Sequence, residues 1–139
     1  MTLERRDVPG LHATPGYSHL TLASGRFAFL AGQCPLDADG ALVGPDDLAA
    51  QVSQVVTNAL AALRAADVGA DDVVRTTIYV ASQQRTDLSQ VWAQLMDSEL
   101  AAAFTTASTL LGVAVLGYPG QLVEIDVTAV LPEVTASEA

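Results

Sequence analysis

Gln121-Leu-Val-Glu-Ile-Asp-Val-Thr-Ala-Val-Leu131 is the stretch on which the reading of this chain turns. With a period of two it separates into Val123, Ile125, Val127, Ala129 and Leu131 on one side and Glu124, Asp126 and Thr128 on the other. That alternation, rich in β-branched residues, predicts a strand with one apolar and one acidic face. The acid is either solvated on an open sheet or set in a cleft, where a carboxylate suits general acid or base chemistry.

Working outward, Gly117-Tyr-Pro-Gly120 turns the chain into this strand, and Thr105 to Val115 before it has β propensity. Val73 to Val80 alternates and predicts another strand. Between these two, Leu88, Val91, Trp92, Leu95, Met96 and Leu100 mark a helix capped by Thr86 or Asp87. An earlier helix starts at Pro45-Asp46-Asp47 and carries Leu48, Val52, Val55, Val56, Ala59, Leu60 and Leu63 as one stripe. Tyr17–Ala23 and Arg26–Gly32 read as strands joined by a two-residue Ser24-Gly25 hairpin, after a loop-like segment over residues 1–16. The order is β-β-α-β-α-β-β, an α+β fold with both helices expected on one face of a mixed sheet.

One domain over residues 1–139 fits the length, with an ordered core over about 17–132 and a frayed tail after Pro132. Half of the residues (50%) are hydrophobic and 16% are charged, a surplus of apolar surface that oligomers absorb. The formal charge is −10, and all 6 basic side chains are arginine. Such a field repels nucleic acid and anionic membrane surfaces, so neither is expected as a partner. The N-terminus has no signal-peptide pattern and no apolar run reaches membrane-spanning length, so a cytoplasmic location is expected.

Several chemistries lack their residues. Without lysine there is neither a Gly-x-x-x-x-Gly-Lys phosphate loop nor a Schiff-base lysine. No Gly-x-Ser-x-Gly elbow is present. His12 and His19 do not have the i, i+4 spacing of helical metal ligands, and Asp37-Ala-Asp-Gly40 lacks the later ligands of a calcium loop, so no metal is expected. Cys34, the 1 cysteine, excludes a disulfide framework and is either a small buried hydrophobe or a nucleophile.

The chain resembles the RidA family, also called the YjgF family. The resemblance runs from about Tyr17 to Leu131 and rests on Gly16-Tyr17-Ser18, Phe29-Leu-Ala-Gly-Gln-Cys-Pro-Leu36, Asp72-Val-Val-Arg-Thr-Thr-Ile-Tyr-Val80, Ser108-Thr-Leu-Leu-Gly-Val and Leu122-Val-Glu-Ile-Asp126. It implies a chorismate-mutase-like fold, a homotrimer with small-molecule clefts between subunits, and cofactor-independent hydrolysis of imines and enamines such as 2-aminoacrylate. It also implies that Glu124 positions or activates water. The family's Pro-Ala-Arg-Ser/Thr pattern corresponds to Thr106-Ala107-Ser108-Thr109, which makes this an arginine-lacking member. Serine replaces the charged bidentate clamp on the substrate carboxylate, Trp92 replaces an asparagine and Ala31 a serine. The expected cleft comprises Glu124 as catalytic residue with Tyr17, Gln33, Cys34, Trp92 and Ser108 around the ligand; Tyr17 and Ser108 hydrogen-bond the substrate, and backbone amides near Cys34 face a developing oxyanion. Weak or absent 2-aminoacrylate activity is expected, with a neutral or bulkier imine as substrate. The alternative is a non-catalytic metabolite-binding trimer. The ribonuclease label sometimes attached to the family fits poorly with an acidic, lysine-free chain.

Overall fold

The computed structural model describes residues 3–133. The elements are β1 (Leu3–Arg6), β2 (Leu20–Ala23), β3 (Phe27–Phe29), α1 (Leu48–Ala65), β4 (Val73–Val80), α2 (Arg85–Met96), β5 (Ala107–Gly112) and β6 (Val123–Val130). A four-stranded mixed sheet has the order β3-β6-β4-β5, and β1 pairs with β2 in a separate ribbon. β4 and β5 are parallel because α2 carries the chain back across the sheet between them. β6 runs antiparallel to both its neighbours, β3 and β4.

The acidic, alternating stretch near the C-terminus therefore forms an inner strand, paired on both edges. Val123, Ile125, Val127 and Ala129 are fully or almost fully buried, and in register with Ile78 and Val80 of β4 they face the helices. α1 supplies Val52, Val55, Ala59 and Leu63 to that layer, and α2 supplies Val91 and Leu95. Full burial of each Val, Leu or Ile side chain among these stabilises the fold by about 1.5–3 kcal/mol. The α1 start is fixed by Asp47, whose carboxylate accepts from the Ala50 N–H at 3.0 Å. Asp37 is structural in the same way. Its carboxylate closes the 37–41 turn by accepting from the Asp39 and Ala41 N–H groups, each at 2.9 Å.

Two expectations are corrected. Ser24-Gly25 does not close a hairpin: β2 pairs with β1, whereas β3 joins β6. The β3 side of that ladder is continued by Leu131 N–H to Arg26 O, Leu30 N–H to Val127 O and the Gln33–Ile125 pair. One edge of β6 is therefore accompanied from Arg26 to Gln33, a longer pairing than a β2–β3 hairpin offers. Residues 1–16 are not all loop, since Leu3–Arg6 is a strand and ordered structure begins before Tyr17. Leu-Glu-Arg-Arg has no apolar alternation to announce it. Arg5 is instead fixed by the tertiary structure, donating to the carbonyls of Asp71 (3.2 Å) and Val73 (2.8 Å) at the start of β4. The expected fraying beyond Pro132 concerns residues 134–139, which lie outside the described residues.

Candidate functional site

Two groups of residues stand out, and they lie on opposite faces of the sheet. Thr76 pairs with both Ser108 and Val127, which places Ser108 on the helix side. Tyr79 pairs with Glu124, which places Glu124 on the open side. The expected site residues are thus divided within one copy of the chain: Tyr17, Trp92 and Ser108 form one half, and Cys34 and Glu124 the other. Gln33, paired with the buried Ile125, shares the parity of the helix side but belongs to neither group.

On the open side the Glu124 carboxylate is held asymmetrically. Oε1 accepts from Gln121 Nε2 at 3.0 Å and from the Cys34 thiol at 3.3 Å. Oε2 lies over the backbone of Gly32, where a Cβ would overlap it. Only glycine admits that close approach. Gln121, only 4% exposed, also donates to Val123 O and accepts from the Tyr118 N–H, so both of its amide protons are committed. The turn that delivers it has Pro119 followed by Gly120 at φ 79°, closed by Gln121 N–H to Tyr118 O, the backbone of a type II turn. Gln51 on α1, fully buried, fixes this turn from below through the Gly120 carbonyl and the Leu122 N–H.

The structure places Gln33 beside this carboxylate strand but turns its side chain away, to the Ala31 carbonyl at 2.7 Å. Its backbone N–H, one of the amides expected to face an oxyanion, is committed to Ile125 O at 2.7 Å. Burial pushes the Cys34 thiol up to about 11, helped by its hydrogen bond to Glu124 and the charge of that carboxylate and opposed by Gln121. At neutral pH the sulfur is therefore a protonated donor and not a thiolate nucleophile. Alkylation of Cys34 by iodoacetamide is accordingly expected to be slow at pH 7 and to climb until the pH passes about 11. Glu124→Gln should move that rise to lower pH, because the neighbouring negative charge is gone. A rate profile levelling off near an ordinary thiol value in the native chain contradicts this.

On the helix side, a cavity of about 620 Å³ is lined by Pro15, Tyr17, Ser89, Trp92, Ser108, Thr109 and Leu110. None of these is charged. Tyr17 stands edge-on to Trp92 with ring centroids 6.1 Å apart, and Trp92 is edge-on to the buried Phe104 at 6.2 Å. The indole N–H donates to Pro15 O at 3.3 Å, so the ring is held in place as a wall of the cavity. Arg75, on the open side, donates to the lining residue Thr109 at Oγ1, 2.8 Å away.

Ser108 departs from its expected role. Its hydroxyl accepts from Thr76 Oγ1 at 2.6 Å and directs its own proton to Phe104 O (3.2 Å) or Thr106 O (3.1 Å). A hydroxyl has one proton, so none is left to donate to a substrate; one acceptor lone pair remains. Ser108 is instead engaged with the Thr76 hydroxyl and with the Phe104 and Thr106 carbonyls. Sequence reasoning also missed Gln121, Gln51 and Gly32 as supports of Glu124. Both glutamines had a signal: each interrupts an apolar pattern, Gln121 at the parity of Val123 and Gln51 one turn from Val55.

Among the described residues, no group of three or more His, Cys, Asp or Glu side chains could hold a metal ion, and no helix is long and apolar enough to cross a membrane. The profile of the family described as Endoribonuclease L-PSP matches residues 9–131. A RutC family protein from Synechocystis is 31% identical over 135 residues, covering 95% of this chain and 99% of the relative. A crystal structure of the Rid family protein YyfB from Yersinia pestis superposes with a TM-score of 0.85 at 34% identity, covering 94% and 100% of the two chains. YyfA from the same organism gives 0.67 at 29% identity, covering 93% and 99%.

Proposed function

We propose that this chain, which belongs to the Endoribonuclease L-PSP family that includes the Rid and YjgF proteins, is a cofactor-independent hydrolase of neutral or bulky imines and enamines. It works as a homotrimer in which the open face of one copy closes over the cavity of the next. The observation that carries this reading is the Glu124 carboxylate, anchored by two donors at Oε1 while Oε2 has no donor among the described residues. A carboxylate held in this way is pre-oriented to accept a proton from water.

The chemistry balances without a cofactor. Glu124 takes a proton from a water molecule as the oxygen adds to the imine carbon. Glu124 passes that proton to the nitrogen, giving a carbinolamine. A second proton reaches the nitrogen as the C–N bond breaks, and Glu124 takes the hydroxyl proton and returns it to water. Ammonia or an amine leaves with formation of a carbonyl compound. Tyr17, Trp92 and Leu110 supply flat and apolar walls for the rest of the ligand. Substrate preference follows from what the cavity lacks. With Ser108 unable to donate and no charged lining residue, a substrate carboxylate loses a clamp of about 2–5 kcal/mol. Ribonuclease activity is disfavoured by a net charge of −10.

Two probes separate the possibilities: 2-aminoacrylate, which is anionic, and the imine released from phenethylamine by an amine oxidase, which carries no carboxylate. The expected result is faster carbonyl formation from the second and little effect on the first. Fast turnover of 2-aminoacrylate overturns the substrate assignment. Light scattering should give about three times the 14.4 kDa chain mass, and a monomer overturns the shared cleft. The second reading, a metabolite-binding trimer without catalysis, is favoured by the committed Ser108 hydroxyl; it stands if neither imine is consumed and a ligand co-purifies.

A further inference from the structure

We propose that His12 is a positioning residue that links Tyr17 to solvent as a proton relay, making the Tyr17 phenol a general acid toward a nitrogen or oxygen atom of the bound ligand. This rests on the cavity beside Tyr17 being the ligand site. The phenol oxygen of Tyr17, a lining residue, lies 2.9 Å from His12 Nε2. His12 itself is exposed and can exchange protons with water.

The surrounding segment is built to keep that pair together. The Val8 N–H donates to His19 Nδ1 at 2.9 Å, so this nitrogen carries no proton and the His19 proton is on Nε2. Nε2–H then donates to the His12 carbonyl at 2.9 Å, and the two imidazoles meet edge-on with centroids 5.2 Å apart. His19 thereby fixes both the backbone and the ring of His12. Tyr17 is fixed in turn by Thr14 Oγ1, which donates to its carbonyl at 2.5 Å, and by the edge of Trp92. The titratable rings facing His12 are Tyr17 and His19.

The proton count closes. With His12 protonated, Nε2–H donates to the phenol oxygen and the phenol O–H is free to point into the cavity. The phenol gives its proton to the ligand nitrogen as the C–N bond breaks, and His12 replaces it from Nε2. His12 ends neutral and is reprotonated from water. This supplies the proton that the Glu124 half of the reaction leaves to be found.

The test has two arms. In the first, tyrosine isotope-labelled at Cζ is followed by NMR in a titration from about pH 5 to about pH 9, the Tyr17 signal being assigned among the 3 tyrosines with Tyr17→Phe. A step in the Tyr17 signal that disappears in His12→Gln is expected; no step in the native chain overturns the relay. In the second arm, His12→Ala should lower kcat for the phenethylamine-derived imine by about 10-fold or more, and added imidazole should restore part of it. His12→Gln keeps a hydrogen-bond donor at the same place yet should be as slow as His12→Ala. Full activity in His12→Gln means that the ring only orients Tyr17, which overturns the relay. If the native chain turns over neither imine, the hydrolase reading fails, and the NMR arm alone decides between a relay and none.

Discussion

Glu124→Gln is expected to lower kcat for a neutral imine by about 10²–10⁴-fold while KM and melting temperature stay close to those of the native chain. The carboxamide has nearly the same volume as the carboxylate, and its oxygen can occupy the Oε1 position, accepting from Gln121 and Cys34 as before. Its nitrogen then stands where Oε2 stood, over Gly32, and brings a donor where the reaction needs an acceptor. The loss falls on proton transfer and not on binding, so kcat and kcat/KM should decline together. Retention of more than about a tenth of kcat assigns the base elsewhere and removes the central element of the proposal. Gly32→Ala tests the same geometry without touching the carboxylate. The new methyl overlaps Oε2 and must push it aside; the displaced group is the end of a flexible side chain, so activity should fall more than stability.

The second large effect is on stability. Gln51→Leu is expected to cost about 3 kcal/mol or more, from about 1–3 kcal/mol for each buried polar group left without a partner. The side chain is fully buried and makes three hydrogen bonds, donating to Gly44 O and Gly120 O and accepting from the Leu122 N–H. Leucine fills the volume yet strands all three groups. For a chain of this size the melting temperature should drop by about 10 °C, measurable by calorimetry or by the denaturant midpoint. A loss under about 1 kcal/mol means that water or a shifted turn satisfies those groups. The effect should extend to the site. Gly120 and Leu122 flank Gln121, which orients Glu124, so a folded Gln51→Leu chain should also be slower.

The amino-acid sequence by itself determined which segments are helices, which are the longer strands, and which face of each is buried. Val73–Val80 was legible residue for residue, and Val123–Val130 lies within the alternating run from Gln121 to Leu131, because a half-buried strand must alternate and a core-facing helix must carry a stripe. Glu124 was visible as the acid on the open side for the same reason. Strand partnership was not legible. Gly25 turns the chain after β2, but whether the next segment folds back on β2 or crosses to β6 depends on which edge gives the longer ladder, and that edge lies about a hundred residues away.

The site divided along the same line. Residue types and the family resemblance named Tyr17, Trp92, Ser108, Cys34 and Glu124. Only the tertiary structure decided that Ser108 and Glu124 face opposite sides of one sheet, that the Ser108 proton is committed to the backbone, and that Cys34 donates to the carboxylate. The physical reason is that a side chain's chemistry is set by where its one proton or lone pair goes. Those partners, Thr76 and Phe104 for Ser108 and Gln121 for Glu124, are brought together by packing, which a local pattern does not encode.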